Sequence, residues 1–129
     1  MRTHYPGLAA LAWLGTALGA AGAAKLEGIS ANIEQGQRIY DTCIACHAAL
    51  PSGPTGPNLR GVFGRKAGEV PGFPYSRALK NSKIVWNATT LDAFLADPQA
   101  AVPGNLMPFP GLPDDQARLD LIAFLKTLK

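Results

Sequence analysis

The segment YDTCIACHAAL, Tyr40 to Leu50, holds both cysteines of a 129-residue chain, with His47 directly after the second. The other histidine, His4, lies near the start. Nothing else in the sequence restricts the fold as strongly as Cys43, Cys46 and His47 together. Such a cluster can cross-link, do thiol redox work, bind a metal or carry a prosthetic group. A Cys43–Cys46 disulfide would close a very small loop and constrain little of the unfolded chain. A redox dithiol ordinarily sits where a strand meets a helix, and no convincing strand precedes Cys43. Structural zinc takes four ligands. Two thiolates and His47 leave it one short, and only a carboxylate remains to complete it. The remaining reading is the C-x-x-C-H attachment motif, in which two thiols form thioethers to haem vinyl groups and the adjacent imidazole binds iron.

Haem attachment happens outside the cytoplasm, so the N-terminus matters. Arg2 and His4 precede an apolar run, LAALAWLGTALGAAGAA (Leu8 to Ala24), and the next charge is Lys25. A basic start, a short apolar stretch and small residues at its end describe a secretory signal peptide. Ala21 and Ala23 suit cutting before Ala24, and Gly22 and Ala24 suit cutting before Lys25. The alternative is a retained membrane anchor, but a spanning helix needs roughly 20 apolar residues and this run is shorter and rich in Ala and Gly. Residues 1–24 are therefore expected to be a cleavable leader and residues 25–129 the mature domain, with a periplasmic location. Roughly a hundred residues remain, one small domain that is marginal without a staple. The chain carries 12 Lys+Arg and 9 Asp+Glu, a net charge of +3. That balance is too weak and dispersed for the basic stripe that nucleic-acid binding requires.

Haem iron with one imidazole asks for a second axial ligand. Apart from Met1 the chain has one methionine, Met107, in VPGNLMPFPG. An isolated methionine usually fills a core gap, but this one lies among Pro98, Pro103, Pro108, Pro110 and Pro113. Proline fixes φ and lowers the entropy of the unfolded loop, so this stretch can hold a thioether without a regular element behind it. Met/His ligation belongs to electron-transfer haems and raises the potential. With His4 lost in the leader, no second histidine competes.

The chain reads as all-α. Asn32 to His47 is expected to be a helix with Asn32 as N-cap, Glu34 in the first turn, and Ile33, Gly36, Tyr40 and Cys43 on one face. A proline- and glycine-rich loop follows, then a short helical turn over Ser76 to Asn81. Thr89 to Asp97 suggests another helix, capped by Asn87 or Thr89, with Asp92 as capping-box partner and Pro98 as its stop. In the last helix Asp114 and Asp115 suit the positive end and Lys126 and Lys129 the negative one. Leu121, Phe124, Leu125 and Leu128 supply its apolar face.

GQRIYDTCIACH, TGPNLRGVFGRKAGEVPGFPYSRALKNSKIVW, PQAAVPGNLMPFPG and RLDLIAFLKTL succeed one another as in class I c-type cytochromes. From about residue 32 to the end the chain resembles mitochondrial cytochrome c and its soluble bacterial relatives. The resemblance implies a small monohaem cytochrome c fold, with crossing N- and C-terminal helices around one covalent haem c. It implies thioethers at Cys43 and Cys46, axial ligands His47 and Met107, and a Pro57 carbonyl that accepts the ring N–H of His47. Arg65, Tyr75 and Trp86 match positions that neutralise or hydrogen-bond haem propionates, though alone they read as a loop charge and two core aromatics. Gly36 would allow the first and last helices to cross closely where Phe124 packs.

The departures are specific. Phe94 stands where relatives often have a tyrosine near the methionine sulfur, and Leu79 where asparagine is usual in a buried polar network. Positions that carry lysines around the haem edge in mitochondrial forms hold Thr42, Gln99, Ala100, Leu106 and Pro113-Asp114-Asp115. Basic residues persist mainly at Arg60, Arg65, Lys66, Arg77, Lys80 and Lys83. A neutral, apolar front face implies weakly salt-dependent partner contacts.

The expected function is a soluble one-electron carrier, monomeric, not an enzyme, that shuttles electrons between respiratory or dehydrogenase partners. No acid/base pair or activated nucleophile is evident. Two alternatives stay open: a haem enzyme or gas-binding protein with an open axial position, and a membrane-tethered redox subunit if the leader is retained.

Overall fold

Asn32 is extended, and its side chain accepts a 3.0 Å hydrogen bond from the Gln35 N–H, so the first helix starts with an otherwise orphaned donor satisfied. The computed structural model describes residues 30–47 and 55–129, and the expected leader lies outside the described residues. Five helices follow in order: α1 (Ile33–Cys43), α2 (Arg77–Asn81), α3 (Ala88–Ala96), α4 (Pro98–Ala101) and α5 (Asp115–Leu125). Among the described residues there is no strand, only an isolated bridge between Lys66 and Val85. The fold is all-α, as expected.

Helix α1 ends at Cys43 rather than His47, yet its bonding pattern runs on. The N–H groups of Ile44 and His47 still reach the carbonyls of Tyr40 and Cys43, at 3.2 and 2.9 Å. Gly36 and Tyr40 are buried on its inner face, but Ile33, expected beside them, is 50% exposed. The α1–α5 crossing explains which residues are covered. A Cβ at Gly36 would run into the Asp120 carbonyl oxygen and come within 2.8 Å of Phe124 Cβ, and the Tyr40 and Phe124 rings lie 5.1 Å apart. Ile33 is left uncovered by this crossing, although Asn32 beside it still bonds to α5.

Ser76 caps α2 by accepting from Leu79 N–H at 3.1 Å. The cap of α3 is one of the two expected residues, but its capping-box partner differs. Asn87 is the cap and Thr90, not Asp92, completes the capping box. Pro98 does not simply stop that helix. Asp97, whose side chain accepts from Ala100 N–H, and the fully buried Pro98 at the first position start α4, as proline's missing donor permits. Asp114 caps α5 through Ala117 N–H at 2.7 Å. Helix α5 buries Leu121, Ile122 and Leu125 against Tyr40, Trp86, Leu91, Phe94 and Leu95, which forms one small core beside a large internal space.

Candidate functional site

The helical bonding that continues past α1 turns Cys43, Cys46 and His47 onto one wall of a cavity of about 480 Å³. Cys43 and Cys46 are not joined to each other. Burial pushes the Cys43 thiol up from its ordinary value, partly offset by the Thr42 side chain. Among the described residues no group of three or more His, Cys, Asp or Glu converges to hold an ion. The cluster thus shares a wall rather than a point, which suits a flat macrocycle better than zinc.

His47 is 8% exposed, and its Nδ1 lies 2.7 Å from the Pro57 carbonyl oxygen. A carbonyl can only accept, so Nδ1 carries the proton and Nε2 keeps a free lone pair. Gly56 backs the ring, since a Cβ there would come within 2.7 Å of Nδ1 and 2.8 Å of Cε1. The imidazole therefore has one tautomer and one orientation, the state a metal-binding histidine needs.

Met107 borders the same cavity from the loop that follows α4. So does Leu79. A smaller extension of about 90 Å³ is lined by His47, Met107 and Tyr75 together with Arg65 and Trp86. All eight residues singled out from the sequence thus border one or both spaces: Cys43, Cys46, His47, Pro57, Arg65, Tyr75, Trp86 and Met107.

The backbone around the Lys66–Val85 bridge sets Arg65 beside Trp86, with Trp86 N–H donating to the Arg65 carbonyl at 2.9 Å. The Arg65 guanidinium donates to the Arg60 and Asn58 carbonyls at 2.8 and 3.0 Å. A guanidinium has five N–H donors, more than these two carbonyls use. The Tyr75 hydroxyl accepts from Val70 N–H at 3.3 Å and keeps its own hydrogen to donate. Burial lowers Arg65 somewhat from its usual range, opposed by Tyr75. Burial raises the Tyr75 phenol, opposed by the Val70 bond and the Arg65 charge. A charged donor and a neutral hydroxyl in a half-buried setting suit carboxylates such as haem propionates. Phe94 is buried with its ring against Trp86, centroids 5.0 Å apart, and is not among the residues lining either space.

Sequence reasoning passed over Asn105, which is buried, borders the cavity and accepts from the Met107 N–H at 3.0 Å. It also passed over Arg118, buried in α5. Its Nε donates to Asp92 at 2.7 Å, and Nη1 donates to the Leu112 and Pro113 carbonyls at 2.8 and 3.0 Å. That contact is where Asp92 goes instead of the α3 cap. An asparagine two residues before a loop methionine was the available signal for Asn105, because such side chains readily bond nearby backbone.

A family model described as Cytochrome c matches residues 33–129. Among similar proteins, cytochrome c of Tetrahymena pyriformis is 48% identical over 94 residues, covering 72% of this chain and 85% of that protein. Cytochrome c2 of Rhodomicrobium vannielii is 45% identical over 95 residues, covering 72% and 76% respectively. The solved structure of cytochrome cH from Methylobacterium extorquens superposes with a TM-score of 0.71 at 43% identity, covering 74% of this chain and 98% of that one.

Proposed function

The chain belongs to the cytochrome c family, and from that premise we propose a periplasmic one-electron shuttle whose iron is gripped by His47 and Met107. The coarser conclusion follows from membership: the protein is an electron carrier rather than an enzyme, and its cofactor is covalently bound haem c. That haem supplies the Fe(II)/Fe(III) couple. In the proposed reading Cys43 and Cys46 carry the thioethers, while Arg65, Tyr75 and Trp86 receive the propionates.

One observation carries the ligand assignment. The Nδ1 of His47 is held 2.7 Å from the Pro57 carbonyl, and Met107 borders the same cavity. The imidazole is oriented in advance, and the thioether stands on a loop stiffened by prolines. With His47 and Met107 both supplied by the chain to hold the iron, neither redox state would need to recruit an external ligand, so little would rearrange on electron transfer. Leu79, Leu95 and Leu121 give the cavity an apolar lining.

The periplasmic location rests on the leader expected over residues 1–24 and on haem attachment outside the cytoplasm. Among the described residues no helix is long and apolar enough to cross a membrane. A monomer that meets donor and acceptor in turn is the proposed working form.

Absorption spectra of the purified protein in both redox states test the reading. The colour should stay with the polypeptide on acid–organic extraction. The ferric form should show a methionine-to-iron charge-transfer band at neutral pH, and Met107→Ala should abolish it. A high-spin ferric spectrum with rapid ligand uptake in the unaltered protein would overturn the assignment in favour of an open-site haem protein. N-terminal sequencing of the exported protein checks the leader, and an intact Met1 would point to a tethered form.

A further inference from the structure

We propose that Asn105 is a positioning residue: it aims Met107 at the iron and keeps external ligands out by gripping three backbone groups, not by donating a hydrogen bond to the prosthetic group. The inference rests on the reading of Met107 as axial ligand.

Asn105 is 5% exposed and borders the large cavity, so it could be taken for a haem contact. Its hydrogen bonds leave it no donor for a haem carboxylate. Nδ2 donates to the Pro98 carbonyl at 2.7 Å and to the Val102 carbonyl at 2.9 Å, while Oδ1 accepts from the Met107 N–H at 3.0 Å. An amide nitrogen has two hydrogens. Both are committed, and none is left for a carboxylate. The opposite amide orientation would set Oδ1 against two carbonyl oxygens and Nδ2 against an N–H, so chemistry selects the orientation described.

The result is a bracket between both ends of α4 and the backbone of Met107. Gln99 closes it from outside, with Nε2 donating to the Asn105 carbonyl at 2.9 Å and Oε1 accepting from Gly104 N–H at 3.3 Å. Pro108 then restricts the chain directly after Met107. Between Asp97 and Pro113 there is no Lys, Arg or His, so the loop holds no amine or imidazole to replace a displaced thioether. A loosened loop would instead expose the iron to added ligands, which makes the role measurable.

The test compares the unaltered holoprotein with Asn105→Ala, Asn105→Thr and Ile122→Val, the last a core change in α5 away from the loop. Imidazole affinity of the ferric form and the charge-transfer band are read alongside unfolding stability. Asn105→Ala should bind imidazole at least about tenfold more tightly, equivalent to about 1.4 kcal/mol. Asn105→Thr, which keeps one hydroxyl, should fall between, and Ile122→Val should bind like the unaltered protein despite its lower stability. Should Asn105→Ala fail to load haem, Asn105→Thr carries the comparison. Equal rises in the Asn105 and Ile122 variants, or no rise in either, would overturn the positioning role. A charge-transfer band that survives Met107→Ala would instead remove the premise, so the two failures are distinguishable.

Discussion

Asp120 of α5 accepts a 2.7 Å hydrogen bond from the backbone N–H of Asn32, the residue that caps α1. The carboxylate is 5% exposed and also receives the Gln116 amide at 2.8 Å. It places negative charge at the positive end of a helix formed far away in sequence, a favourable arrangement. Asp120→Ala should lower unfolding stability by about 2 kcal/mol, because a partly buried N–H loses a charged acceptor. Asp120→Asn, which keeps an acceptor, should cost about half that. Urea midpoints at unchanged slope measure both, and equal losses for the two variants would remove the charge argument.

Gly36→Ala offers a sign test. In an ordinary helix the change stabilises by roughly 0.5–1 kcal/mol. Here the new Cβ would meet the Asp120 carbonyl, which is backbone and cannot swing aside. Overpacking of this kind costs about 1–3 kcal/mol or more, so the crossing must open and stability must fall. A more stable variant would refute the crossing geometry.

Gly56→Ala probes the site rather than the fold. Its Cβ would press on the His47 ring at Nδ1 and Cε1, turning the imidazole away from the Pro57 carbonyl. On the proposed reading the variant should load less haem or show a partly high-spin ferric spectrum. Full loading with an unchanged spectrum would mean that the glycine does not seat the ring.

Lys83 is exposed and holds a left-handed backbone, φ 58°, a conformation that costs a side-chain-bearing residue about 1–2 kcal/mol. Glycine removes that strain but returns about 0.4–1 kcal/mol of unfolded-state entropy. The strain is the larger effect, so Lys83→Gly should stabilise by about 0.5 kcal/mol. Thermal unfolding should show a small upward shift, and a fall would mean that the Lys83 side chain makes a compensating contact.

Thr42, Ile44, Gln99 and Leu106 are exposed around the Cys43 and Met107 segments, Leu106 at 78%, and none is charged. Electron transfer with a redox partner should therefore depend weakly on ionic strength, because few charges are screened at contact. Stopped-flow rates measured from low to high salt check this, and a steep decline would show that Arg and Lys elsewhere dominate docking.

What the sequence determined by itself is what acts over one or two turns. The spacing of Cys43, Cys46 and His47, and the cap at Asn32, involve residues three or four apart, so they are legible without a fold. Even there the frame matters: a helix capped at Asn87 makes Thr90 the box partner, whereas a cap at Thr89 would have made it Asp92. Tertiary structure alone decided the rest. Ile33 is exposed, Phe94 faces Trp86 instead of the cavity, Asp92 meets Arg118, and Asp120 reaches Asn32 across 88 positions. Such contacts follow from where α1 and α5 cross and from how loops return, and local propensity carries no record of either.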